Sequence, residues 1–404
     1  MKYNRIIANS LMQNLLIMMF NPLIAVIVSA INALKNNKYT SILLFAIITA
    51  LYASVINTTK LPVSDQSNYL WQFNNVEKVG FIQTLTYGGA GSIREPIYGI
   101  YVYISYYLFM GNAKLFFLLT SFLSLFFHYM TVINIAKKYR YPNYIVLTGI
   151  IVLTFFTPFY SLTLHLIRQI LATSIALYAI SLKMLDASNY KKYLPFMLIA
   201  VFTHSTSILL ILLSFLPNID KEFKIKRLIG FILFTAILAF TFPKLSESLL
   251  GGSENDNFMT YALSRAQTAE GLSDNADGAN MSKSILYIVS IPLILSSLYF
   301  YFKKRKDVSP IFTNMCILMC IFVFSVSYSP LIQYRYFFVL YSFIIFTIPI
   351  IFKTSTQLSK LYCLTIIIFT IIYFLSTYSK NYDYAKVAEI ISYPFPLYFT
   401  INPY

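Results

Sequence analysis

Residues 115–136 read LFFLLTSFLSLFFHYMTVINIA, and Lys137, Lys138 and Arg140 follow at once. As a helix rising 1.5 Å per residue, this run reaches about 33 Å, which matches the hydrocarbon thickness of a bilayer. His128 is its one ionisable group apart from Tyr129. The basic cluster that closes it marks a cytoplasmic loop. A long apolar helix with a basic inner end is therefore the unit of this fold.

The same unit recurs outward in both directions. Apolar runs lie near 11–33, 40–57, 96–110, 143–160, 167–185, 193–216, 228–246, 284–302, 309–329, 335–352 and 361–378. Hydrophobic residues make up 58% of the chain and charged residues only 11%. These features predict an all-α polytopic integral membrane protein with about 11–14 transmembrane helices, forming one multi-pass domain over 1–404. In a soluble protein the net charge of +16 would point to nucleic acid. Here it is excess Lys and Arg in inner loops, so no nucleic-acid partner is expected. Those loops carry Lys35 and Lys38, Lys137 to Arg140, Lys183 to Lys192, Lys221 to Arg227, Lys303 to Lys306, and Lys353 and Lys360. Lys2 and Arg5 precede the first run, which is expected to be an uncleaved helix. Cys316, Cys320 and Cys363 sit within apolar segments without companions for a metal site, so they read as small core residues and no metal or cofactor is expected.

If all twelve runs crossed the membrane, the basic loops would not all face one side. Segment 96–110 is short, and 193–216 carries His204 at its middle. Re-entrant or half-helix elements in these two segments place every basic loop inside. The stretches Asn57–Glu95, His165–Arg168 and Tyr328–Arg335 then face outward, with a polar, acidic loop at 247–283. That loop is either solvated surface or a lid. There is no Gly-rich phosphate loop and no D-x-D pair, which argues against nucleotide-driven transport and metal-dependent nucleotide-sugar chemistry.

The remaining charges stand out because they adjoin or interrupt apolar runs, where ionisable groups are costly and mark functional cavities. They fall in five outward constellations: Ser64-Asp65-Gln66-Ser67-Asn68-Tyr69; Arg94-Glu95-Pro96-Ile97-Tyr98; His165-Leu166-Ile167-Arg168-Gln169; Thr203-His204-Ser205-Thr206-Ser207; and Gln333-Tyr334-Arg335-Tyr336-Phe337. Guanidinium groups bind phosphate oxygens bidentately, so Arg168 and Arg335, with Arg94 as a helper, are expected to hold a phosphate-bearing substrate. His204, Asp65 and Glu95 are the candidate proton acceptors, with His204 first. Gln169, Tyr69, Tyr334 and Tyr336 offer amide, hydroxyl and ring contacts for sugar or phosphate. Together these groups suit a phosphate-linked glycan. Each also has a plainer role to be weighed, as a local ion pair at a helix start or a satisfied core histidine.

The ordered set S-D-x-x-x-Y (Ser64, Asp65, Tyr69), E-P (Glu95, Pro96), I-R-Q-x-x-A (Ile167, Arg168, Gln169, Ala172), F-x-H-S-x-S (Phe202, His204, Ser205, Ser207) and Y-R-Y-F (Tyr334 to Phe337) resembles the EpsG-type branch of the Wzy-like O-antigen, exopolysaccharide and capsule polymerases. The closing Tyr393-Pro394-Phe395-Pro396-Leu397 is similar to that family's tail. His165 departs from the pattern, since a small or polar residue is expected there. The resemblance implies a glycosyltransferase of the bacterial cytoplasmic membrane that joins undecaprenyl-pyrophosphate-linked oligosaccharide repeat units at the outer face. Its partners would be that lipid-linked glycan and membrane lipid; a chain-length regulator is left open. A flippase for the same glycan and an O-antigen-ligase-like transferase are the rival functions.

Overall fold

The computed structural model describes residues 12–36, 39–62, 65–86, 95–221, 226, 229–235, 237, 309–326, 330–343, 357–378 and 387–404. Spans 228–246 (in large part) and 284–302, the 247–283 loop, Ser64, Arg94 and the side chains of Tyr334 and Cys363 lie outside the described residues. The described residues form helices joined by turns, without a β-strand. In order these are α1 (Pro22–Asn36), α2 (Tyr39–Asn57), α3 (Asp65–Asn74), α4 (Val76–Leu85) and α5 (Pro96–Leu108). There follow α6 (Ala113–Tyr139), α7 (Asn143–Phe155), α8 (Thr157–His165), α9 (Ile167–Leu185), α10 (Tyr190–Thr203) and α11 (Ser207–Ser214). The last are α12 (Pro310–Ser325), α13 (Pro330–Tyr341), α14 (Gln357–Tyr378), α15 (Val387–Ile390) and a 3₁₀ turn, Phe395–Phe399.

Two described helices, α2 and α6, are long and apolar enough to cross a membrane. Around them one end of the bundle gathers the basic residues. There the Lys138 ammonium donates to the Met184 carbonyl, Lys137 lies over Tyr39, and the Asn143 amide donates to the Ala33 carbonyl at 2.6 Å. The Ser309 hydroxyl meets the Met184 sulfur at 3.3 Å. Cations at helix C-termini complement the terminal carbonyls, and their stems cover apolar surface. Cys316 and Cys320 are buried free thiols within α12.

The segment 193–216 is two helices. α10 runs from the basic end and stops at His204, whose backbone is extended (φ −163°, ψ 135°). α11 then returns. The Lys183 ammonium donates to the Ser214 carbonyl at 2.8 Å and stands 3.5 Å from the Phe215 ring centre. The Asn314 amide donates to the carbonyls of Ile219 and Lys221 at 2.8 and 2.7 Å. Lys221 therefore comes back to the basic end, and His204 is the apex of a hairpin. α5 is a half-length element too. Midway along it the Tyr101 hydroxyl lies 2.6 Å from that of Thr120, two turns into α6. It ends in the tight turn Phe109–Asn112, with Met110 at φ 51° and Gly111 at φ 75°. Asn112 caps α6 by accepting from the Leu115 N–H at 3.2 Å.

Three expected boundaries move. The first run breaks at Asn21, whose side chain accepts from the Ile24 N–H at 3.1 Å ahead of Pro22, a residue suited to a first helical turn. The run at 143–160 kinks at Phe156 and continues as α8. The run expected from 335 begins as a helix at Pro330. Between Asn57 and Glu95, where sequence alone predicts only an outward stretch, lie α3 and α4. α3 is polar on average, yet it buries Gln66, Tyr69, Gln72 and Phe73, at i, i+3, i+6 and i+7, on one face of an amphipathic helix.

α3 and α4 pack over α5, and Gly99 sets how closely. A Cβ there would stand 2.9 Å from the Leu85 Cα and 3.1 Å from the Thr84 carbonyl oxygen. Because backbone atoms cannot yield as a flexible side chain can, Gly99→Ala should cost about 1–3 kcal/mol by overpacking. Gly230, with nothing within 4 Å of its Cβ position, provides the control. Gly230→Ala should be neutral or slightly stabilising, by up to about 1 kcal/mol. Thermal unfolding of the two detergent-solubilised variants checks this; equal Tm values would remove the close-approach account.

Candidate functional site

Arg168 lies in the first turn of α9, where the unpaired N–H groups already carry partial positive charge. A cation there needs a carboxylate, and Glu95 supplies it. Arg168 Nη1 donates to Glu95 Oε2 at 2.5 Å, the two side chains being 22% and 14% exposed. Glu95 caps α5 directly before Pro96, a place that favours negative charge on its own account. One ion pair thus satisfies two helix starts.

Tyr69 of α3 and Tyr98 of α5 enclose the guanidinium. Its carbon lies 5.3 Å from the Tyr69 ring centre and 5.7 Å from that of Tyr98. The two rings meet edge to face at 6.1 Å. The aromatic faces provide cation–π attraction in a largely buried site, and Nε approaches the Tyr69 hydroxyl at 3.5 Å.

His204 completes the cluster from the hairpin apex. Its Nδ1 accepts from the Thr206 N–H at 3.2 Å and lies 2.9 Å from the Thr206 hydroxyl. An acceptor nitrogen carries no proton, so the neutral ring is protonated on Nε2. Nε2 faces Glu95 Oε1 at 3.6 Å. The Ser207 hydroxyl donates to the His204 carbonyl at 2.9 Å, fixing the turn. Glu95 therefore stands between a guanidinium on one oxygen and an imidazole on the other.

Other expected residues approach from further elements. Gln169 donates its amide to the Arg335 backbone carbonyl at 2.5 Å, tying α9 to α13. The Arg168 and Arg335 charges both act on His204. The Tyr336 ring packs edge-on against Phe322 at 5.0 Å, towards α12. Asp65 opens α3 one turn before Tyr69 and is close enough to act electrostatically on the Tyr69 hydroxyl. Tyr334 lies in α13. His165 ends α8, and His128 is buried in α6 against Phe159, with Nδ1 2.7 Å from the Ser124 carbonyl.

Sequence reading missed a polar floor beneath the cluster. The Asn57 amide, at the end of α2, donates to the Ser121 hydroxyl at 3.1 Å and to that of Thr163. An asparagine ending an apolar span was the available signal. Thr206, which fixes the imidazole tautomer, lay within a quoted motif without an assigned role. An arginine and an imidazole against one carboxylate, with tyrosine rings beside the guanidinium, form a place that can hold an anion and move one proton.

A family model, EpsG family, matches residues 42–395, a range that contains every member of the cluster. No curated protein and no solved structure matches the chain.

The geometry couples Arg168 and Glu95 directly. Removing either partner leaves a largely buried charge, which costs about 3 kcal/mol or more. In a thermal-unfolding double-mutant cycle, Arg168→Ala with Glu95→Gln should be destabilised by about 1–3 kcal/mol less than the sum of the single variants. Additive losses would show that the ion pair does not form.

Proposed function

The chain belongs to the EpsG family, and on that premise we propose that it is a multi-pass membrane polysaccharide polymerase. It joins undecaprenyl-pyrophosphate-linked oligosaccharide repeat units at the outer face of the bacterial cytoplasmic membrane, with the basic end of the bundle facing the cytoplasm. The observation that carries this is the Arg168–Glu95–His204 chain with Arg335 beside it. It offers two guanidinium groups for a diphosphate and a carboxylate for a proton, in one tyrosine-walled place.

In the proposed step the acceptor hydroxyl oxygen attacks the anomeric carbon of the donor. The bond from that carbon to the lipid diphosphate breaks, and the diphosphate leaves with the electron pair. Arg168 and Arg335 neutralise the charge that develops on it, the kind of preorganised stabilisation that dominates such barriers. The leaving group already carries its diphosphate, so no nucleotide enters.

The acceptor proton needs a base, and His204 is the first expectation from sequence. The hydrogen-bond pattern favours Glu95 instead, because the outward-facing His204 nitrogen already bears a proton. When the donor diphosphate draws the Arg168 guanidinium, Glu95 loses part of its counter-charge and becomes the stronger base. His204 Nε2–H then steadies the carboxylate. Asp65 would stay at the rim, near Tyr69.

Arg168→Ala and Arg335→Ala, in protein expressed at the parent level, should each lower polymerisation by about 10²–10³-fold. On a gel, the ladder of lipid-linked polymer should collapse to single repeats. A parent-like ladder from both variants would remove the diphosphate assignment. Capped acceptor without a ladder would indicate a ligase, and translocated single repeats a flippase. Glu95→Gln should match the arginine variants, whereas His204→Ala should lose only about tenfold. The reverse order would return the base to His204.

A further inference from the structure

Lys114 is placed against two electrostatic preferences. It lies in the first turn of α6, where a helix favours negative charge, and it is buried, with 6% of its surface exposed. Its ammonium is directed at the segment that follows α15: it donates to the backbone carbonyls of Tyr398 and Ile401 and stands 5.5 Å from the Phe399 ring centre. The carbonyls at the end of a helical turn lack partners of their own, so a cation at the end of the Phe395–Phe399 turn satisfies them. The same segment is tied down elsewhere. The Tyr52 hydroxyl donates to the Ile391 carbonyl at 2.6 Å, and the Asn21 amide to the Ser392 carbonyl at 3.1 Å.

This anchoring delivers Tyr404 to the substrate site. The Tyr404 ring stacks on Phe117 of α6 at 5.1 Å and 13°. Its hydroxyl accepts from the Gln66 amide at 3.4 Å. Gln66 is fully buried, directly follows Asp65, and precedes by one helical turn the Tyr69 ring that carries Arg168. The path thus runs from Lys114 to the Ile401 carbonyl, along the chain to Tyr404, and from its hydroxyl through Gln66 to α3, whose Tyr69 meets Arg168.

We propose that Lys114 and Tyr404 are positioning residues: the segment Phe395–Tyr404, locked by Lys114, fixes α3 so that Tyr69 holds the Arg168 guanidinium in its working place. The activity arm of the test rests on the polymerase function proposed above, and the stability arm does not. Tyr404→Ala should lower the amount of polymer about tenfold, within the range expected when a charged group is misplaced by a fraction of an ångström. Lys114→Met should do the same, and Lys114→Arg should restore polymer. In an Arg168→Lys background, Tyr404→Ala should add less than its own tenfold, because both changes act on one guanidinium. The Arg168–Glu95 coupling, read as the double difference in Tm between Arg168→Ala, Glu95→Gln and their combination, should shrink by about half when Tyr404 is alanine. Losses that multiply fully in the Arg168→Lys background would overturn the proposal, as would a coupling that Tyr404→Ala leaves unchanged. If the parent protein makes no polymer, the polymerase function fails and the coupling measurement alone decides the positioning role. If Lys114→Met does not fold, Tyr404→Ala carries both arms.

Discussion

The ion pair between Arg168 and Glu95 is the contact on which the site depends. It joins the start of α9 to the start of α5, two elements far apart in sequence. Neither charge is tolerable alone at that depth: an isolated ion loses its hydration and gains nothing in return. Their pairing holds the start of α5, and α5 in turn positions α4 through the close approach at Gly99. The tyrosine walls follow, since Tyr98 lies one turn into α5 and Tyr69 on the face of α3 turned to it.

Interrupted helices are the second constraint. A continuous helix through 193–216 would carry His204 past the cluster with its backbone groups already used. Ending α10 at His204 frees local N–H groups, and one of them, that of Thr206, fixes the imidazole. α5 works likewise, because its start places a carboxylate within the bundle at a helix end that welcomes it. Half-helices whose ends point into a cavity bring polar backbone to a substrate without exposing it to lipid. Glu95 and His204 both stand at such ends.

Much of this was legible in the sequence, because long apolar runs and basic loops obey simple rules. α9 has the bounds its apolar run predicts, and α2 differs from its run by one residue. The cost of burying charge singles out Arg168, His204 and Arg335 from sequence alone, with Glu95 in a neighbouring motif. The pairing of Arg168 with Glu95 was not legible: Glu95 sits next to Arg94 in sequence, and only the fold brings it to Arg168. α3 was hidden because its apolar residues are outnumbered by polar ones, and α4 because Glu77, Lys78 and Gly80 break its apolar residues into short pieces. The roles of Lys114 and Tyr404 were hidden for a different reason. A lysine beside an apolar run looks like an interfacial anchor, and its partners are backbone carbonyls, which no side-chain pattern records.

Under the proposed function, the same pair would keep the Glu95 carboxylate occupied before substrate arrives. Arg168 holds one Glu95 oxygen and His204 Nε2 faces the other. A diphosphate carries more charge than one carboxylate and offers more oxygens to a planar guanidinium fork, so it competes for Arg168 on favourable terms. The competition links two events that must not be separated in a polymerase: occupation of the donor site and activation of the acceptor hydroxyl. Under the proposed function, holding Glu95 against an arginine that the donor itself requires would restrain the base until the donor is in place, and it would need no moving part larger than one side chain.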